Sequence, residues 1–135
     1  MLTQAEAETL IAMEKTFIHP ATISIPPGTD QTHELIGSDK RELFLFDLWR
    51  GIFRLSKLRY QTRGRKIIVL VRLDVNAAPH SNPDGNKIVG THIHRYREGY
   101  EDKWAFPIEY EEFSDPSDIQ QILDDFYRYC NVKNV

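Results

Sequence analysis

At 135 residues, with 41% hydrophobic residues, 27% charged residues and a net charge of −3, the chain has the composition of one folded domain spanning residues 1–135, not of a disordered segment. No apolar run approaches the ~20 residues of a membrane span, and the N-terminus lacks a signal-peptide pattern. This excludes a membrane-spanning role and points to a soluble, cytoplasmic protein, in which the single Cys130 has no partner for an internal disulfide.

Thr3-Gln4-Ala5-Glu6 forms a capping box that predicts a helix over residues 3–15. Pro20, Pro26, Pro27 and Gly28 break the following segment into extended pieces. After a turn at Gly37-Ser38-Asp39, residues 42–49 read as a strand. Leu43, Phe44, Leu45, Phe46, Leu48 and Trp49 occupy both its faces, so it is expected to be covered on both sides. Residues 52–61 form the next strand, with Leu58 and Tyr60 on one face and Lys57, Arg59 and Gln61 on the other. Thr62-Arg63-Gly64-Arg65 is a hairpin loop leading into the most apolar run, a strand over 66–74. Strands over 88–97 and 103–108 follow, the last marked as an edge by Pro107. Asp115 is the expected N-cap of a helix over 116–130, with Pro116 at its first position. Ile119, Ile122, Leu123, Phe126 and Cys130 lie on one stripe of that helix. The fold class is therefore α+β: a mostly antiparallel sheet of about six strands, flanked by an N-terminal and a C-terminal helix that cover one face.

The chemistry concentrates between Lys66 and Glu98. Residues two apart on a strand share a face, so Arg72 and Asp74 leave one strand together, and His92, His94, Tyr96 and Glu98 leave the other. If the two strands pair, these sets meet, with His80 in the loop between them. Histidines can give and take protons near neutral pH, and Arg72 can stabilise charge on a phosphoryl oxygen. Asp74 can orient an imidazole, so the catalytic candidates are Arg72, Asp74, His80, His92 and His94. Eight basic residues and no acidic one lie from Arg50 to Arg72, whereas nine acidic residues against Lys103 alone lie from Glu101 to Asp125. Arg54, Lys57, Arg59, Arg63 and Arg65 are accordingly the candidates for tracking a nucleic-acid backbone.

Plainer readings stand beside these. Arg72 and Asp74 suit an exposed ion pair, the histidines a half-exposed polar face, and Asn82-Pro83-Asp84-Gly85 a turn. Cys130 suits a small buried hydrophobe. The spacing His92-x-His94-x-x-x-Glu98 echoes a cupin metal motif, but no histidine follows Glu98, so the match is attributed to chance. No metal ligand set and no cofactor is expected.

Several stretches taken together resemble an uncharacterised bacterial and prophage family. They are Leu2-Thr3-Gln4-Ala5-Glu6-Ala7, Arg72-Leu73-Asp74, Pro79-His80 through Gly85, His92 through Tyr100, Asp102 through Pro107, and Asp125 through Asn131. A weaker similarity is to small toxins of toxin–antitoxin loci, which carry an Arg-x-Asp, a nearby Pro-His and a later His cluster. The leading expectation is a nucleic-acid-directed protein, a metal-independent ribonuclease of toxin type with RNA as partner. A non-catalytic module that binds a protein partner, such as a prophage-encoded inhibitor or regulator, comes second. A metal-dependent enzyme using His92-x-His94 comes third.

Overall fold

The computed structural model describes residues 1–134. In chain order the elements are α1 (Gln4–Ala12), β1 (Lys15–Phe17), β2 (Asp30–Gly37), β3 (Leu43–Arg50), β4 (Leu58–Gly64), β5 (Ile68–Val75), β6 (His80–Ser81), β7 (Lys87–Ile88), β8 (His92–Arg95), β9 (Ala105–Pro107), α2 (Ile119–Cys130) and β10 (Val132–Lys133). Eight strands form one sheet in the order β10-β1-β2-β3-β4-β5-β8-β9, antiparallel throughout except where β1 meets β10. The α+β class is as expected, but the sheet has eight strands, not about six. The two strands nearest the N-terminus and the short β10 carry too few apolar residues to signal themselves. Edge pairing, with main-chain hydrogen bonds along Thr16 and Lys133, makes them strands.

The period-2 alternation explains which face is buried. Phe44, Phe46, Leu48, Leu58, Tyr60, Val71, Leu73 and Ile93 point to one side and are all buried. The helix α2 lays Ile122, Leu123, Phe126 and Cys130 onto this side, with Phe126 stacked on Phe46 at 5.9 Å between ring centroids. The other face of β3 is only partly covered. Leu43 is exposed and Leu45 and Trp49 are half-buried, so the expected two-sided burial does not occur.

Other boundaries also move. Residues 51–57 form a tight loop and not the start of a strand, because Gly51 N–H bonds to Lys57 O and Lys57 N–H to Arg54 O. A Cβ at Gly51 would lie 2.5 Å from Arg54 O, which is why the turn needs glycine. The strand expected over 88–97 pairs with β5 only from His92 to Arg95, since Ile88 belongs to the small β6–β7 hairpin. Asp115 caps a turn to Ser117, and Asp118 is the N-cap of α2, accepting from Gln121 N–H. The Thr3–Glu6 capping box is present as expected.

One buried cation ties the helices together. Lys15 is fully buried, and its Nζ donates to Ile11 O (2.9 Å), Met13 O (2.8 Å) and Cys130 O (2.8 Å). These are carbonyls at the negative C-terminal ends of α1 and α2, where a positive charge is favoured. Burial lowers the Lys15 pKa to about 8. No helix among the described residues is long and apolar enough to cross a membrane.

Candidate functional site: a His–Asp–Arg cluster on the uncovered sheet face

The same alternation that buries one face sends polar residues to the other. Along one cross-strand row lie Asp47, Gln61, Arg72 and His94. Along the next lie Trp49, Arg59, Asp74 and His92. Directly opposed residues on antiparallel strands lie on the same side, so Arg72 meets His94 and Asp74 meets His92. The expected meeting of the two polar sets therefore occurs.

The third histidine is delivered by the β6–β7 hairpin. Asn82, itself buried, donates from Nδ2 to Ala105 O and accepts Ala105 N–H at Oδ1, both at 2.9 Å. This clamp fixes the hairpin against β9 and places the His80 ring 4.6 Å from that of His94 and 5.8 Å from that of His92. Asn82 read in the sequence only as a turn residue. Its amide pairs with the backbone of β9, a role no local pattern encodes.

Each imidazole spends one ring nitrogen on a backbone carbonyl. His92 Nδ1 donates to Gly90 O at 2.9 Å, His94 Nδ1 to Asp102 O at 2.8 Å, and His80 Nε2 to Lys103 O at 2.7 Å. A carbonyl only accepts, so these nitrogens carry the protons. The remaining lone pairs are at His92 Nε2, His94 Nε2 and His80 Nδ1. The first two face Asp74 Oδ2 at 3.4 and 3.3 Å.

Arg72 spans the outer side of this cluster. Its Nη1 donates to Asp102 Oδ2 at 2.8 Å, its Nη2 to His94 Nε2 at 3.0 Å, and its Nε lies 3.3 Å from Asp74 Oδ2. Arg59 Nε donates to Asp74 Oδ1 at 3.1 Å. Burial works against the charge on Asp74. Hydrogen bonds from His92 and His94, each of which needs a proton on Nε2, and the Arg72 and Arg59 guanidiniums outweigh it and hold the carboxyl well below the usual carboxylate range.

Solvent access divides the cluster. His92 and His94 are each 1% exposed and Asp74 is 6% exposed. His80, Arg72 and Asp102 are half-buried and form its mouth. The expected half-exposed histidine face is therefore corrected for His92 and His94: the β6–β7 hairpin covers them. Tyr96 and Glu98 do not join them, because the strand ends at Arg95. Tyr96 O–H donates to Leu2 O, and Glu98 accepts Gln4 N–H at 2.7 Å. Asp102 was missed because it lies eight positions beyond His94, past the end of β8 and a turn.

The basic candidates do not form one stripe. Arg59 pairs with Asp74, Arg63 with Asp47 through two bonds of 2.7 and 2.8 Å, and Arg65 with Glu42 at 3.3 Å. Arg54 and Lys57 sit in the 51–57 loop, with Lys57 and Arg59 over the Trp49 ring at 6.0 and 5.8 Å. A concavity of about 280 Å³, lined by Asp30, Asp47, Trp49, Arg59, Gln61 and Arg63, adjoins the cluster on the same face.

Residues 2–132 match the family of unknown function DUF6978. The chain belongs to that family. Membership bears out the resemblance to an uncharacterised family and brings no activity with it. No curated protein and no solved structure matches the chain.

Proposed function

We propose that the chain is a nucleic-acid-directed protein of bacterial or prophage origin, a ribonuclease of toxin type that acts at the mouth of the histidine cluster. The observation that supports this is that a half-buried His80, whose Nδ1 makes no hydrogen bond among the described residues, and a half-buried Arg72 guanidinium both flank His94 at the mouth of the cluster. His80 Nδ1 takes the proton of a ribose 2′-hydroxyl as that oxygen attacks phosphorus. The P–O5′ bond breaks, water protonates the departing oxygen, and Arg72 steadies the charge on the phosphoryl oxygens. Buried Asp74 and His94 hold Arg72, the Asn82 clamp and Lys103 O seat His80, and none of the buried residues touches the substrate. The Trp49 concavity with Lys57 offers a stacking surface for a neighbouring base.

A non-catalytic inhibitor or regulator is the second reading. One observation favours it: Phe53 is 97% and Ile52 67% exposed on the loop that carries Arg54.

The test is cleavage of mixed-sequence RNA, run with a chelator and with Zn²⁺. Loss of a general base costs on the order of 10²–10⁴ in rate, so His80→Ala should remove most turnover and leave the thermal midpoint near that of the wild type. Arg72→Lys should also impair cleavage, since an ammonium lacks the planar fork. A wild-type protein that leaves RNA intact under both conditions, and does not slow the growth of cells expressing it, ends this reading.

A further inference from the structure

We infer that Asp74 Oδ2, His92 Nε2 and His94 Nε2 form a tetrahedral site for a divalent transition cation, with zinc the best fit to the ligand set. The inference goes beyond the ribonuclease reading and stands whether or not RNA is the substrate.

The first argument is the count of donors and acceptors. With both Nδ1–H groups committed to Gly90 O and Asp102 O, each Nε2 turns a lone pair toward the same carboxylate oxygen. Acceptors facing one another attract only through a cation or proton between them. Histidines whose second nitrogen donates to a backbone carbonyl are the ordinary arrangement around bound metals, because that bond fixes the tautomer and ring orientation.

The second argument is distance. A charge-assisted N–H···O bond is about 2.7–2.9 Å long. The two Nε2–Oδ2 separations are 3.4 and 3.3 Å. Ligands about 2.0–2.1 Å from a zinc ion, at the tetrahedral angle, lie about 3.3 Å apart. These two edges fit atoms sharing a metal better than atoms sharing a proton. One ligand atom from each of the three buried residues lies within 4.8 Å of the others, and since two ligands of one zinc ion are at most about 4.2 Å apart, the two histidines draw together as the ion binds.

The fourth position opens toward His80, whose Nδ1 makes no hydrogen bond within the described residues. Arg72 and Arg59 act against the cation. Arg59 occupies Oδ1, while Arg72 donates from Nε to Asp74 Oδ2 at 3.3 Å and from Nη2 to His94 Nε2 at 3.0 Å, and must withdraw from both to its shorter contact with Asp102. Arg72 therefore competes with the metal, and an arginine restrains the affinity of the site.

The experiment uses the full chain, stripped with a chelator and titrated with Zn²⁺ against a competing chromogenic chelator. A parallel sample receives Co²⁺. The expected result is one Zn²⁺ per chain, a raised thermal midpoint, and the intense visible absorption of tetrahedral Co²⁺. Asp74→Asn, checked for folding by circular dichroism, should lose at least the ~10–100-fold in affinity that even outer-sphere changes cost. Arg72→Gln, freed of a competing charge, should bind on the order of tenfold tighter or more. His19→Ala, at an exposed position outside the cluster, should bind as wild type. Absence of stoichiometric Zn²⁺ binding, a weak octahedral Co²⁺ spectrum, or folded Asp74→Asn binding as wild type overturns the site. So does weaker binding in Arg72→Gln. The readout is binding, so a chain that holds zinc and leaves RNA intact sinks the ribonuclease reading alone.

Discussion

Replacing Asp74 with Asn in metal-free buffer keeps the side chain's shape and removes its charge. Arg59, whose side chain is 49% exposed, turns to water, and that lost pair is worth ~0–1 kcal/mol after solvent screening. Arg72 keeps Asp102 at 2.8 Å but loses its second carboxylate. The amide offers one oxygen to two guanidiniums: with its nitrogen at the Oδ2 position its N–H groups meet the His92 and His94 lone pairs, and Arg72 Nε loses its acceptor. A buried donor left without a partner costs ~1–3 kcal/mol. The sum is a loss of about 2–3 kcal/mol, or ~6–15 °C of thermal midpoint at ~3–5 °C per kcal/mol for a chain of this length. The sign of the pH dependence follows from the lowered Asp74 pKa. The contribution of Asp74 is complete above the unfolded value near ~3.9 and is lost as pH falls toward the folded one. Urea denaturation of both proteins from neutral pH downward should therefore show a gap that narrows on acidification. Asp47, also lowered, is common to both and cancels. A neutral-pH gap under ~0.5 kcal/mol, or one that persists unchanged at pH ~2.5, would refute the reasoning.

Two further outcomes are expected. Lys15→Met leaves three helix-end carbonyls without their donor and should cost about 2–4 kcal/mol by urea denaturation, whereas a variant as stable as wild type would show that Lys15 is no clamp. Arg54→Glu with Lys57→Glu should leave stability unchanged and lower the slope of log RNA affinity against log salt by ~1.4, at ~0.7 per phosphate contact. Arg63→Glu should instead destabilise by about 2 kcal/mol, since it sets a carboxylate against Asp47, and equal effects of both changes would contradict the pairing found there.

The sequence showed those parts of the molecule whose causes are local. The Thr3–Glu6 box, the Ile122–Phe126–Cys130 stripe and the alternation through Leu58, Tyr60, Arg72 and Asp74 each follow from neighbours a few residues apart. The Arg72–His94 and Asp74–His92 pairs were legible because strand period fixes faces, and only the register remained to be found. What stayed hidden depends on distant partners. β1 and β10 are strands only because they pair with each other and with β2. Lys15 looked like a helix end, and no local pattern foretells a buried lysine that reaches a helix-end carbonyl 115 residues further along the sequence. The arginines from 59 to 65 looked free because Asp47, Glu42 and Asp74 reach them across strands. Burial of His92 and His94 by the Asn82-clamped hairpin is likewise a tertiary event, and it leaves His80 as the half-buried imidazole of the three.

The central claim is that three imidazoles are each anchored to a backbone carbonyl, with His92 and His94 turning their remaining nitrogens onto Asp74. Long-range ¹H–¹⁵N spectra of the histidine rings, recorded well above the ordinary imidazole pKa of ~6.5, read that arrangement directly. The account predicts Nδ1–H tautomers for His92 and His94, an Nε2–H tautomer for His80, and a shift of the His92 and His94 Nε2 resonances when Zn²⁺ is added. Nε2–H tautomers at His92 and His94, with resonances indifferent to Zn²⁺, would contradict it.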